Sequence, residues 1–480
     1  MDLPADKGAV VVIILRGRVH SRRIEPRRAD RIRERHHPEE QTNTSCTVST
    51  APSTESPIEV IERLRRHNPG RKVVCVDQLS GRGHILLDGE LAMEVLNDPD
   101  LLRPPILRRM IGEGLPWTSG DEWQDARSSI RPGMTTKSFD DCLPEISQSI
   151  DDLLDQMGDA AGRGESLPLV PLIAATMLRI SSRAIFGIDV GVNTDHAMTM
   201  MHMASTSNRL AGIGVFDTAG RISPELMQDL RRGRDAVDEI SEQILDLART
   251  GTFQPTRAMK CLLEWQQRDD TVTDRRIVEH TSSLLLASVE TTTSMISNTF
   301  RFLAEHPEWI PRIRDEFATI SGWPPEAIRE VGRLTTVTAC CRESIRLRPP
   351  IWLVARTAPT PMTIGDDVTV AEGDRIYACL YLIHRNPEVW TEPDAFRPQR
   401  FLEDGQREGV DYLPFGLGRH YCLGAPLALT EGAMIIGRTC SKFLMSFIDE
   451  ADDAPKQGFL MGPSLTARFI PRAFDDSNHS

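Results

Sequence analysis

The stretch from Phe415 to Gly424 reads FGLGRHYCLG, and an apolar helical run, Ala425 to Ile436, follows it. Three glycines within nine residues call for a tight loop with backbone angles that other residues resist. The following helix is expected to begin near Cys422, so this thiol faces unpaired N–H groups and the positive end of a helix dipole, both of which favour thiolate. A thiolate so placed is a metal ligand or a nucleophile. One cysteine is too few for zinc or an iron–sulfur cluster, whereas haem iron needs a single axial residue. A buried structural thiol in a glycine-rich turn is the plain alternative at this point.

Upstream segments carry further chemistry. Glu343 and Arg346, in ESIR, sit one helical turn apart, where an ion pair is geometrically natural. The segment FRPQRF, Phe396 to Phe401, contains Arg400. The apolar helical run Ile277 to Leu303, starting at Thr273 and Asp274, is about 30 residues or roughly 45 Å long if continuous. In its middle lies ASVETTTS, Ala287 to Ser294. An acid and hydroxyls there are costly unless a groove holding water or a small ligand runs beside them. Hydroxyls bonded to preceding carbonyls, with Glu290 facing solvent, are the alternative. Trp123 and Arg127, in WQDAR, lie at i and i+4 of a predicted helix.

These segments resemble the cytochrome P-450 family over about residues 58–472, in the family's order. The loop form F-G-x-G-x-H-x-C-x-G agrees with Phe415, His420, Cys422 and Gly424 at every fixed position. The resemblance implies that Cys422 is the axial thiolate of haem b, that His420 bonds a haem propionate, and that Phe415 packs beside the sulfur. It implies that Trp123, Arg127 and Arg356 hold the propionates, and that Glu343, Arg346 and Arg400 form a buried charged network of structural purpose. From the form A-G-x-[D/E]-T-[T/S], Glu290 becomes the relay acid and Thr291 the hydroxyl that manages protons during dioxygen activation. Ser288 departs from the form, replacing the usual glycine with bulk and a competing hydroxyl. The implied fold is mainly α with minor β: a triangular prism with a long central helix over haem and small β-sheets. The implied activity is a monooxygenase that hydroxylates or epoxidises a hydrophobic small molecule with O2. By analogy the substrate pocket is lined by Leu284, Ala287, Val289, Trp352, Leu353, Phe459 and Leu460, with the methionine-rich region 198–203.

Composition bounds the rest. Apolar residues are 40% and charged residues 26% of 480, ordinary globular values. The net charge of −13 argues against a nucleic-acid partner, which needs a basic surface. The nine cysteines form no CxxC pair, so neither a disulfide framework nor a zinc site is expected. Residues 16–35 carry nine arginines against three acids, and a Ser/Thr/Pro stretch follows. Residues 1–55 therefore read as a disordered, Arg-rich extension, an overextended start, a transit peptide or a basic arm being the alternatives. Residues 56–480 read as one domain. No unbroken 18-residue apolar run exists, so no membrane span is expected. No G-x-G-x-x-G opens a strand-turn-helix unit, so no flavin or nicotinamide module is visible. Electrons from NAD(P)H are thus expected through external proteins, a ferredoxin and its reductase, docking near Arg127, Arg131 and Arg419. Arginine outnumbers lysine 50 to 6, which with the missing anchor suggests a cytoplasmic bacterial enzyme, monomeric, of secondary metabolism. A haem-thiolate isomerase, dehydratase or peroxygenase, or a non-catalytic haem-based sensor, are the other classes; the Glu290–Thr291 pair argues against them.

Overall fold

The computed structural model describes residues 57–472 apart from 79–80, 106–107, 109–111, 190, 192, 217–223, 321–331, 367, 403–408 and 450–464. The N-terminal extension and the pocket residues Phe459 and Leu460 lie outside the described residues. In chain order the helices are α1 (Pro57–His67), α2 (Gly89–Asn97), α3 (Gly120–Ile130), α4 (Leu143–Arg163), α5 (Leu169–Ser181), α6 (Thr194–Phe216), α7 (Pro224–Thr250) and α8 (Arg257–Arg268). They continue with α9 (Asp274–Glu305), α10 (Trp309–Ala318), α11 (Thr335–Leu347), α12 (Leu380–Ile383) and α13 (Ala425–Lys442).

Helix α9 organises the others. The Thr273 hydroxyl accepts from Arg276 N at 3.3 Å, and Asp274 sits in the first turn, so both the open N–H groups and the dipole are satisfied. Its 32 residues rise about 48 Å. Ile277, Leu285, Ser294 and Ser297 are all fully buried although they point to different sides, so the helix runs through the main core instead of along the surface. Apolar faces of α4, α5, α7, α8, α10, α11 and α13 pack into the same core.

The strands form small sheets. β1 (Val73–Gln78), β2 (Gly81–Leu86), β7 (Arg375–Cys379) and β4 (Leu353–Thr357) lie in that order, with β2 parallel to β7 and the other pairs antiparallel. β3 (Ser166–Pro168), β9 (Leu465–Pro471) and β8 (Phe443–Asp449) form a second sheet. Residues 362–370 form a hairpin of β5 (Met362–Ile364) and β6 (Val368–Val370), because Gly365 turns the chain with φ of +57°. Two smaller cores lie on opposite faces of the first sheet, one built from α1 with Trp352 and Tyr377, the other from α2 with Ile376 and Leu413.

Leu169–Phe186 is long and apolar enough to cross a membrane, and 72% of it is buried inside the protein. Ile173, Met177 and Ile180 there belong to the main core. The methionine-rich region behaves similarly: Met200, Met201 and Met203 are buried in the core, and a Cβ on Gly233 of α7 would meet Met203 at 2.5 Å. Met203 thus packs in the α6–α7 seam.

Candidate active site

The Cys422 loop is built as its glycines require. Gly416 and Gly418 have φ of +72° and +62°, and a Cβ at Gly418 would fall 1.6 Å from Asn97 Oδ1, so the loop lies directly on the last residue of α2. Cys422 N donates to Phe415 O at 2.9 Å, and Tyr421 N donates to Gly418 O at 3.1 Å. Helix α13 starts at Ala425 with Gly424 as its cap residue. Cys422 therefore precedes the helix, a correction of three residues that leaves it within reach of the dipole. Cys422 is exposed, whereas the other described cysteines are buried and none is in a disulfide. Burial pushes the thiols of Cys341, Cys379 and Cys440 up to about 12, which removes them as nucleophiles or ligands. Phe415 packs against the main core, its ring 6.4 Å from that of Tyr421.

Four arginines converge on His420. Arg103 Nη2 donates to His420 Nδ1 at 3.1 Å, which makes Nδ1 the acceptor and leaves the ring proton on Nε2. The Trp123 ring lies 4.0 Å from the His420 ring and carries the Arg127 and Arg419 guanidinia at 5.5 and 4.9 Å. Arg127 Nη2 donates to Tyr421 O at 2.6 Å. Arg356, on β4, is 4% exposed, and its Nη1 donates to Ala355 O at 3.0 Å. Among the described residues none of these four arginines pairs with a carboxylate, and the Nε atoms of Arg103 and Arg356 are shut from solvent with no acceptor. Burial, with Arg356 and Arg127 nearby, pulls Arg103 down to about 9, and burial pulls Arg356 down to about 10. Burial and then the surrounding guanidinia hold His420 at about 3. Buried cations short of counter-charge are costly, and an anion with more than one negative charge removes that cost.

Beneath the loop lies a different arrangement. Arg346, fully buried, gives Nε and Nη2 to the two oxygens of Glu343 at 2.8 and 2.9 Å, and its remaining N–H groups to the carbonyls of His384, Pro393 and Ala395. Arg400 Nε reaches Glu343 Oε1 at 3.3 Å, and the Trp390 ring lies 4.9 Å from the Arg346 guanidinium. His384 Nε2 accepts from Leu413 N at 2.9 Å, tying this network to the start of the Cys422 loop.

On α9, Ala287 is exposed and Thr291 half-buried, while Leu285, Val289 and Thr292 between and beside them are buried. Thr291 Oγ1 donates to Ala287 O at 2.7 Å. Ser288 Oγ donates to Leu285 O at 2.9 Å, so its own helix takes up the hydroxyl that sequence alone left as a competitor. Glu290 is 6% exposed, its Oε1 has no partner, and burial pushes its carboxyl well above the usual range, which favours the protonated form. Leu284 shares the face of Ala287. Val289 does not: two residues on, it points roughly 200° away and is fully buried in the main core. Val289 is therefore not on the Ala287 face; Trp352 is buried in the smaller core with Tyr377, and Leu353 is half-buried on β4.

A model of the family described as Cytochrome P450 matches residues 64–468. The chain belongs to the cytochrome P450 family. It is 26% identical over 405 residues to the cyclooctat-9-en-7-ol 5-monooxygenase of Streptomyces melanosporofaciens, covering 81% of this chain and 84% of the relative. It is 23% identical to the taurochenodeoxycholic 6 alpha-hydroxylase of Sus scrofa (80% and 83% covered) and 24% identical to the 11-oxo-beta-amyrin 30-oxidase of Glycyrrhiza uralensis (75% and 72%). As a P450 monooxygenase the protein takes haem iron and O2. The donor set fits that group, because one accessible cysteine beside a helix N-terminus can serve as an axial thiolate, and the carboxylate-free arginine cluster suits two propionates. Arg103 escaped the sequence reading because LLRPP has no diagnostic spacing. Glu431 was findable: an acid inside the apolar run of α13, it is 2% exposed and burial pushes it up to about 8.

Proposed function

We propose that this P450 hydroxylates or epoxidises a hydrophobic small molecule of terpenoid, polyketide or steroid type, as a cytoplasmic monomer of secondary metabolism. Electrons come from NAD(P)H through a ferredoxin and its reductase. The observation that carries the site reading is the arginine cluster around His420, cationic, partly buried and lacking carboxylates, beside the exposed Cys422. Haem, when bound, supplies the reductive activation of dioxygen. The chain's residues do the rest. Cys422 holds the iron; Arg103, Arg127, Arg356 and the Nε2–H of His420 hold the propionates; Glu343, Arg346 and Arg400 brace the loop. Glu290, kept protonated by burial, donates a proton, and Thr291 passes it on by turning its hydroxyl from Ala287 O. Relatives named for cyclooctat-9-en-7-ol and 11-oxo-beta-amyrin support the substrate class. The cations Arg127, Arg131 and Arg419 support an acidic electron donor. Residues 56–480 act as one domain.

An optical titration of the haem protein against terpenoids, polyketides and steroids tests the substrate class, a spin-state shift being the expected response. Thr291→Ala tests the relay: oxygen consumption should continue while product falls and peroxide is released. An unchanged product-to-oxygen ratio would remove Thr291 from the relay; turnover supported by peroxide without O2 would point to a peroxygenase, and no turnover at all to a sensor; a Cys422→Ala protein with an unaltered haem spectrum would overturn the whole site.

A further inference from the structure

Glu290 stands where two faces of α9 meet. One carries Ala287 and Thr291. The other continues toward the C-terminus through Thr293, Ser297 and Arg301. At 100° per residue these three and Glu290 lie within roughly 80° of one another around the axis, spaced by about 4.5–6 Å along it. Thr293 and Ser297 are fully buried and Arg301 is 6% exposed. Glu290 Oε1, Thr293 Oγ1 and Ser297 Oγ have no hydrogen-bond partner. Other hydroxyls of this helix satisfy themselves: Thr291 and Thr299 donate to the carbonyls of Ala287 and Met295, and Thr281, the further unpartnered threonine, lies alone on the opposite side.

The outer end of the face reaches the surface. Arg301 Nε pairs with Glu305 Oε1 at 3.0 Å, and the Glu305 side chain is 47% exposed. Both line a pocket of about 310 Å³ walled by Ile310, Met445 and Phe447. Phe300, beside the face, lies 6.5 Å from Phe447. The Arg301 charge, which alone would repel an incoming proton, is offset there by Glu305.

Buried hydroxyls and carboxyls are rarely left without a partner, and ordered water supplies one where protein does not. Side chains three or four residues apart on a helix are separated by about 5–6 Å, the span of one water making two hydrogen bonds of about 2.8 Å. We propose that α9 carries a hydrated track from the Arg301–Glu305 pocket, past Ser297 and Thr293, to the Glu290 carboxyl, and that protons from bulk water resupply Glu290 along it. The track rests on the reading of Glu290 as the proton donor. Each hydroxyl or water accepts one proton as it hands on another, so Glu290 regains the proton it gave while one enters from bulk at the pocket. No electrons move, and the chain is unchanged. Thr293 and Ser297 are positioning residues that hold water.

The test is hydrogen–deuterium exchange at Glu290 in the haem-loaded protein. The carboxylic C=O stretch is followed by infrared spectroscopy after transfer to D2O and identified by its loss in Glu290→Gln. Thr293→Val with Ser297→Ala should slow this exchange at least tenfold while the haem spectrum and circular dichroism stay native. Thr293→Ser should exchange like the parent. Ser297→Ala alone, the milder change, should slow exchange about threefold, and serves if the double variant does not fold. Exchange at the parental rate in variants with native spectra overturns the track, as does failure of Thr293→Ser to match the parent. The relay reading fails separately, if Glu290→Gln leaves the ratio of product to oxygen consumed unchanged.

Discussion

Around Arg346 every N–H of the guanidinium meets an oxygen, two of them from Glu343 and three from backbone carbonyls. Around Arg103, which also reaches the Cys422 loop, the guanidinium donates to Leu115 O and to the ring of His420, and its Nε meets nothing. Burial is similar in kind, but the accounting of donors differs. A complete donor inventory marks a region whose work is finished on folding. An incomplete one, with several cations and no carboxylate, marks a region finished by a ligand. The contrast separates scaffold from site without reference to any relative.

Breaking the finished region should have the largest effect. Arg346→Ala strips Glu343 of its bidentate partner, leaving Arg400 alone beside a buried carboxylate, and should cost about 3–5 kcal/mol, read as a lower urea midpoint. Arg346→Lys should recover little, since an ammonium cannot reproduce the bidentate contact. A parental midpoint for Arg346→Ala would erase the contrast from one side. Arg356→Ala and Arg103→Ala test the other. Each should weaken haem retention by about ten- to a hundredfold, the loss of a charge-assisted hydrogen bond, measured by haem transfer to an excess of acceptor globin. Without haem, their urea midpoints should stay level or rise, because a buried like charge has been removed. A fall in the haem-free midpoint would show that the cluster is scaffold after all.

Acid sharpens the comparison further. Burial, with Arg346 and Arg385 nearby, holds His384 at about 3, so between about pH 6.5 and 3 the unfolded chain binds a proton that the folded chain refuses. Stability therefore falls as pH drops through that window, by up to about 1.4 kcal/mol per pH unit from this group. His384→Gln, which can still accept from Leu413 N, should flatten the slope of urea midpoint against pH; an unchanged slope would exclude His384 as its source. The smallest effect belongs to Arg419, at the rim of the cluster. Arg419→Ala should change haem retention less than about fivefold, because exposed stacking and polar contacts contribute under about 1 kcal/mol.

What the sequence disclosed follows the range of its patterns. FGLGRHYCLG is local, and Gly416 and Gly418 fold as a glycine-rich loop must. The ESIR pair is one turn of helix, and Glu343 and Arg346 meet. The central helix is legible because its apolar period holds over Ile277 to Leu303. Val289 lies beside Ala287 in sequence, yet two steps along a helix reverse the facing and bury it in the core. β5 and β6 are divided by Gly365, whose positive φ no sequence pattern announces. Arg103 was invisible because its meaning lies in His420, and the spacing between them obeys no local rule.

That spacing has a consequence in time. Arg103 reaches His420 across 317 residues and Arg127 reaches Tyr421 across 294. At about 5–20 residues per second, the early half of the cradle leaves the ribosome roughly a quarter of a minute to a minute before the late half. Until then the nascent chain holds cations with nothing to grip and no sulfur to offer. Cofactor capture is therefore one of the last events in the protein's biosynthesis, and a message cut short before codon 422 yields a chain that carries most of the helices and cannot load.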